Sequence, residues 1–273
     1  MMLDAAITLR SALAMYFMFG DEADREQGRG QKFFVYGAIF VPTDNIPALH
    51  DQIEKARKAA GLINVDSLKF ASSTRPKAMT FEAHRELKKT IMTLAREVGN
   101  VKFCAQVTLH ELARNQEHDD LVLWGANTVL GKFNMFLGET KSHGYAVLDK
   151  IPVEHPYRYL KEKFQVGLTF QGKPSIRLDR ILGFGHAVDG SSHMCSVADV
   201  MLGAFRYCVN EPNNEEAGKA MFPVLMSMMW KREREGKTYV NECGLVFRPA
   251  NIKEAKHQAE YDVLIERLQS YIT

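Results

Sequence analysis

Apolar runs and polar breaks alternate along the chain, and the period of the apolar positions changes from run to run. Residues 14–20, Ala-Met-Tyr-Phe-Met-Phe-Gly, are apolar with no helical step and read as a strand. The polar stretch over 21–31, with Gly28 and Gly30, reads as a turn into a second strand over 33–41, closed by Pro42. That second run has no polar position and is rich in aromatic and β-branched residues, which predicts a strand buried on both faces. Residues 46–60 set Leu49, Ile53 and Ala56 on one side and stop at Gly61, the pattern of a helix. After a short extended piece over 66–70, Thr80 caps a helix that runs to about Val98. Leu87, Ile91, Leu94 and Val98 recur along it at three- and four-residue steps.

The rhythm then repeats. A strand over 101–109 precedes a helix over 121–137; a strand over 145–148 precedes a helix over 157–166; a strand over 180–188 precedes a helix over 197–209 opened by Ser196. Toward the end, 222–230 reads as helical, 238–246 is undecided, and 254–271 is a closing amphipathic helix. Met221, Met226, Met228, Met229 and Trp230 form a soft apolar cluster suited to core packing before a dimer contact. Two strands joined by a turn, followed by strands alternating with helices, predict an α/β fold with a mixed sheet flanked by helices.

Composition narrows the function classes. Apolar and charged fractions of 46% and 25% are ordinary for a globular protein. A net charge of +2 is too small to indicate nucleic acid by itself, and the basic clusters interleave with acids as solvated helix faces do. Cys104, Cys195, Cys208 and Cys243 form no CxxC pair, which argues against a thiolate zinc site and for reduced thiols in a cytoplasmic protein. Met1 to Leu13 carries Asp4 and lacks a basic start, so it makes a poor signal peptide. No apolar run approaches the roughly 20 residues of a membrane span. There is no Gly-rich phosphate loop, no GxSxG elbow and no cysteine–histidine nucleophile pattern.

The candidate chemistry lies in where the carboxylates fall. Asp21 ends the first strand and is followed by Glu22; Asp149 ends the strand over 145–148; Asp199 lies in the apolar run Cys195-Ser-Val-Ala-Asp-Val-Met-Leu202. A carboxylate among residues that want burial is costly unless a positive group compensates it. Three such positions far apart in sequence point to one shared cation site. Asp189, in Val188-Asp-Gly-Ser-Ser192, and Lys69 are supporting candidates. Each residue also has a bland reading. Asp21 and Glu22 can start a solvated loop, Asp149 can pair with Lys150, Asp199 can be stabilised by a helix start, Asp189 can form a turn, and Lys69 can be a surface lysine. His186 and His193 flank Asp189 with no zinc-motif spacing.

Taken in order, these segments resemble a known family: Phe19-Gly-Asp-Glu22, Tyr36-Gly-Ala-Ile-Phe-Val-Pro42, Ser67-Leu-Lys-Phe70, the strand ending at Asp149, and Val188-Asp-Gly-Ser-Ser before Val197-Ala-Asp-Val-Met-Leu-Gly203. The chain is similar here to the domain-of-unknown-function 3800 family, itself related to the ribonuclease H-like (retroviral integrase) superfamily. The resemblance covers about residues 14–210. It implies a ribonuclease H-like domain over 1–210 and a C-terminal helical extension, 211–273, packed on the same body.

The resemblance also implies a magnesium- or manganese-dependent phosphodiesterase acting on RNA or DNA. Such enzymes hold two ions roughly 3.5–4 Å apart with oxygen ligands. Asp21 would bridge them, Asp149 and Asp199 would each hold one, Glu22 would position water or a ligand, Asp189 would support the set and Lys69 would steady the scissile phosphate. The resemblance implies a place among nucleases that frequently belong to mobile elements or phage defence, and a homodimer or an activating protein partner fits them. Ser196 stands where the family has an amide, and Ala23 where it often has a serine; both change the surroundings of the acids. Two rival functions remain open: a non-catalytic ribonuclease H-like module binding protein or nucleic acid, and a metal-dependent hydrolase of small phosphorylated compounds.

Overall fold

A computed structural model describes residues 14–23, 31–63, 66–113, 118–149, 156–169, 176–187 and 191–272. The chain runs through β1 (Met15–Ala23), β2 (Phe33–Pro42), α1 (Ile46–Ala59), α2 (Phe81–Glu97), β3 (Lys102–Leu109) and α3 (His118–Glu139). It continues with β4 (His143–Leu148), α4 (Pro156–Val166), β5 (Ile181–His186), α5 (His193–Asn210) and α6 (Glu215–Met228). The last elements are β6 (Arg232–Arg234), β7 (Lys237–Tyr239), β8 (Leu245–Arg248) and α7 (Ala255–Ser270). A mixed six-stranded sheet, in the order β5-β4-β1-β2-β3-β8, forms the centre, with helices on both faces. β1 pairs antiparallel with β2 and parallel with β4, and β4 pairs parallel with β5.

The unbroken apolar run of β2 is explained by its two faces. Phe33, Val35, Ile39 and Val41 join the core under α1, α2, α5, α6 and α7, while Phe34, Tyr36, Ala38 and Phe40 join the core under α3. Each large side chain fully buried in this way contributes about 1.5–3 kcal/mol. α3 approaches β2 closely because Gly125 faces Tyr36; a Cβ at that position would overlap the Tyr36 ring. On the other face a Cβ at Gly37 would come within 2.7 Å of Leu202 on α5. These two glycines let helices clamp β2, and through it β1, from both sides.

Two boundaries differ from the sequence pattern: β1 continues through Asp21 and Glu22 to Ala23, and α5 starts before Ser196. Thr80 does cap α2, its side chain accepting from the Ala83 N–H at 3.1 Å. α5, however, begins at His193 and is capped by Ser192, whose Oγ accepts from the Cys195 N–H at 3.2 Å. Ser196 is therefore inside the helix, and Asp199 lies further from the helix start than a Ser196 cap would place it, with less help from the helix dipole.

The C-terminal part is not helical throughout. The undecided stretch over 238–246 ends β7 and begins β8, and β8 extends the sheet beside β3. Glu242, before β8, takes Arg248 Nη1 at 2.6 Å and Lys132 Nζ at 3.1 Å. The Arg248 hydrogen bond is the main cause that holds its carboxyl down at about 2. Met228, Met229 and Trp230 are buried, while Met221 and Met226 pack partly buried on the core. Among the described residues no helix is long and apolar enough to cross a membrane.

Gly125→Ala is expected to drive a methyl into the Tyr36 ring and cost about 1–3 kcal/mol, the scale of overpacking in a filled core. Urea unfolding of this variant should show a lower midpoint with an unchanged slope. Wild-type stability would mean that α3 can slide off β2.

Candidate metal centre

The topology itself gathers the acids. β1 and β4 run parallel with Gly20 opposite Leu148, and the Asp149 N–H donates to the Gly20 carbonyl at 2.9 Å as a last rung beyond the paired residues. The residue after each of these positions is therefore held beside its neighbour. Asp21, Glu22 and Asp149, all half-buried, each offer a carboxylate oxygen, and these oxygens lie within 4.8 Å of one another. Among the described residues no other trio of Asp, Glu, His or Cys side chains forms such a group.

Asp21 and Glu22 leave β1 on opposite faces. Asp21 is paired with Gly37, on the face packed by α5, and Glu22 with Tyr36, on the face packed by α3. Their carboxylate oxygens still converge beside Asp149, just past Gly20 and Leu148, the last paired residues of β1 and β4. Burial pushes the Asp21 carboxyl well above the usual carboxylate range, and the charges of Glu22, Asp149 and Asp199 push it further. The Glu22 N–H, bonded to Asp21 Oδ1 at 2.8 Å, acts the other way. Burial, and then the charges of Glu22, Asp21 and Asp149, also raise the Tyr36 hydroxyl, which stands next to Gly20 on the α3 side.

Asp199 approaches from α5 but does not join the group of three. Its Oδ1 accepts the Phe70 N–H at 2.6 Å. One turn further along α5, a Cβ at Gly203 would overlap Phe70. Asp199 and Gly203 thus seat the segment 66–70 on α5. This gives the Val197-Ala-Asp-Val-Met-Leu-Gly203 run a physical reason: one position binds the backbone of Phe70 and another makes room for its side chain.

Seating that segment brings Lys69 to the cleft, whose walls include Asp21, Asp149, Asp199, Lys69 and Cys195 over a floor of Phe19 and Val147. The space inside is about 30 Å³. That suits a small cation or a water or two rather than an organic molecule. Asp189 lies outside the described residues. His193 is engaged elsewhere, with Nε2 3.0 Å from Glu54 and its ring against His50.

Lys88 is a basic residue the sequence pattern did not single out. From α2 it donates to the Phe70 carbonyl at 3.0 Å and lies 4.3 Å from the Phe70 ring centroid. Burial lowers its ammonium pKa, Arg85 lowers it further, and Asp199 pulls it back up. Its place in a helix of alternating charges hid it, because the contact with 66–70 is made in space only. The chain matches no known family model and no curated protein.

The raised carboxyl makes a test on the metal-free protein. Between the ordinary carboxylate value and the raised one, the folded chain binds a proton that the unfolded chain does not, so stability falls as pH rises through that window. Asp21→Asn removes this penalty. In EDTA at neutral pH its melting midpoint is expected to rise by a few degrees, since ~1 kcal/mol moves the midpoint roughly 2–4 °C in a chain of comparable size. The gain should shrink toward acid pH. An equal or lower midpoint at neutral pH would contradict the crowding of acids around Asp21.

Proposed function

We propose that this chain is a divalent-metal-dependent phosphodiesterase that cleaves RNA or DNA, built on a ribonuclease H-like sheet. The observation that carries this reading is the convergence of Asp21, Glu22 and Asp149 at the ends of parallel neighbouring strands. Magnesium or manganese fits this donor set, because hard cations take carboxylate oxygens. A cation also supplies the positive charge that buried like charges need. When bound, such an ion acidifies a water and offsets charge on a phosphate.

The chain's own residues divide the remaining work. Asp21 and Asp149 hold the cation from two strands, and Glu22, turned toward Tyr36, orients the water and takes up its proton. Lys69, on the opposite wall, faces the phosphate with its ammonium. Asp199 contributes its charge to the cleft and fixes that wall through the Phe70 N–H. The hydrogen bond of Asp199 also favours a second reading, a non-catalytic binding module on the same scaffold, because it gives that acid a structural task.

Calorimetry with manganese, paired with cleavage of end-labelled RNA and DNA, separates the two. Binding is expected in the wild type and lost in Asp21→Asn and Asp149→Asn. Cleavage should fall on the order of 10²-fold or more, the scale seen when one electrostatic partner of a transition state is removed. Lys69→Ala should keep manganese binding while slowing cleavage. Folded wild-type protein that neither binds manganese nor cuts either polymer would leave the binding-module reading.

A further inference from the structure

The face of the sheet that carries Asp21 and Asp149 continues away from the cleft as an aromatic floor. Pairing sets its side chains in rows: Phe19 beside Val147 and Gly185, then Phe17 beside Tyr145 and Gly183. On the opposite face of the same strands, Met18, Ala146 and Leu148 are fully buried. On this face α5 packs across β1 and β2, and Phe17, Phe19, Tyr145 and Val147 stay half-buried.

Tyr145 is pinned in place. Its ring extends along β5 over both glycines, so that a Cβ at Gly183 or Gly185 would come within 2.8 or 3.3 Å of it. Its hydroxyl donates to the Phe184 carbonyl at 2.6 Å. Phe17 is 5.8 Å from Tyr145 and 6.0 Å from Phe19 between ring centroids. Phe19 then forms the floor of the cleft beside Asp21. The three rings are thus continuous with the carboxylates.

We propose that this floor stacks unpaired bases, so that the substrate is a single-stranded nucleic acid with one phosphodiester reaching Asp21 and Asp149. The proposal rests on the phosphodiesterase reading above and adds the form of the polymer. Aromatic side chains accept any base because every base has a π-face. A duplex hides those faces in its own stack and presents phosphates and groove edges instead. The ring spacings of 5.8 and 6.0 Å are wider than the roughly 3.4 Å step of a duplex strand. A rigid ring held by a hydrogen bond and two glycines also loses little freedom on binding.

The test uses 12-residue DNA and RNA carrying 2-aminopurine, single-stranded and duplex, with the full chain in an Asp21→Asn background that removes cleavage and one repelling charge. Tyr145→Leu keeps an apolar side chain without a ring, and Tyr145→Phe keeps the ring; both are checked for folding by thermal melting. Single strands are expected to bind more tightly than duplex and to be quenched. Tyr145→Leu should weaken them at least about fivefold, while Tyr145→Phe, which keeps the ring over both glycines and loses only its hydrogen bond, should weaken them by clearly less.

Equal binding by Tyr145→Leu, or a preference for duplex, would overturn the proposal even if manganese binding and cleavage by the Asp21 protein are intact. A parent protein that self-associates through this face, and is dispersed by Tyr145→Leu, would overturn it too. Absence of manganese binding and cleavage with Asp21 present would instead remove the phosphodiesterase reading, and this proposal with it.

Discussion

Everything at the cleft depends on β1 and β4 running parallel and in register. With Gly20 opposite Leu148, the chain has no means of keeping Asp21 and Asp149 apart. Their repulsion, added to burial, is an unfavourable contribution that the rest of the fold must hold in place. It does so with β2. That strand is buried on both faces, is clamped by α3 at Gly125 and by α5 at Gly37, and holds β1 along its length. The acids are held where they are by the packing and pairing of the strands that carry them.

The opposite wall is built by a different device. α5 carries Asp199 and Gly203 one turn apart, and together they seat residues 66–70, which deliver Lys69 to the cleft. Lys88 reinforces that seat from α2 through the Phe70 carbonyl and ring. One wall therefore carries Asp21 and Asp149 and is held by strand pairing, and the other carries Lys69 and Asp199 and is held by a helix. A charge distribution of this kind is invisible in a net charge of +2.

The strands and the acids at their ends were legible in the sequence because burial on two faces leaves no polar position, as in β2, and because a carboxylate closing such a run stands out. The helix faces of α1 and α2 were equally plain from their apolar steps. What could not be read locally depends on contacts between distant segments. The start of α5 turned on which of two serines, Ser192 or Ser196, bonds a free N–H. β8 has four residues and is fixed by pairing with β3 and by the Glu242–Arg248–Lys132 contacts. The positions of Tyr36, Lys88 and Tyr145 near the cleft arise from pairing register and helix docking, which no periodicity encodes. Asp199 was legible as an unusual acid, but its hydrogen bond to Phe70 was not.

The most direct measurement of the central claim, that Asp21, Glu22 and Asp149 form one cation site, is anomalous diffraction from crystals soaked in manganese. An anomalous peak is expected among those three carboxylates, lost in crystals of Asp21→Asn. Manganese found only at exposed surface acids, with the cleft holding water alone, would contradict it.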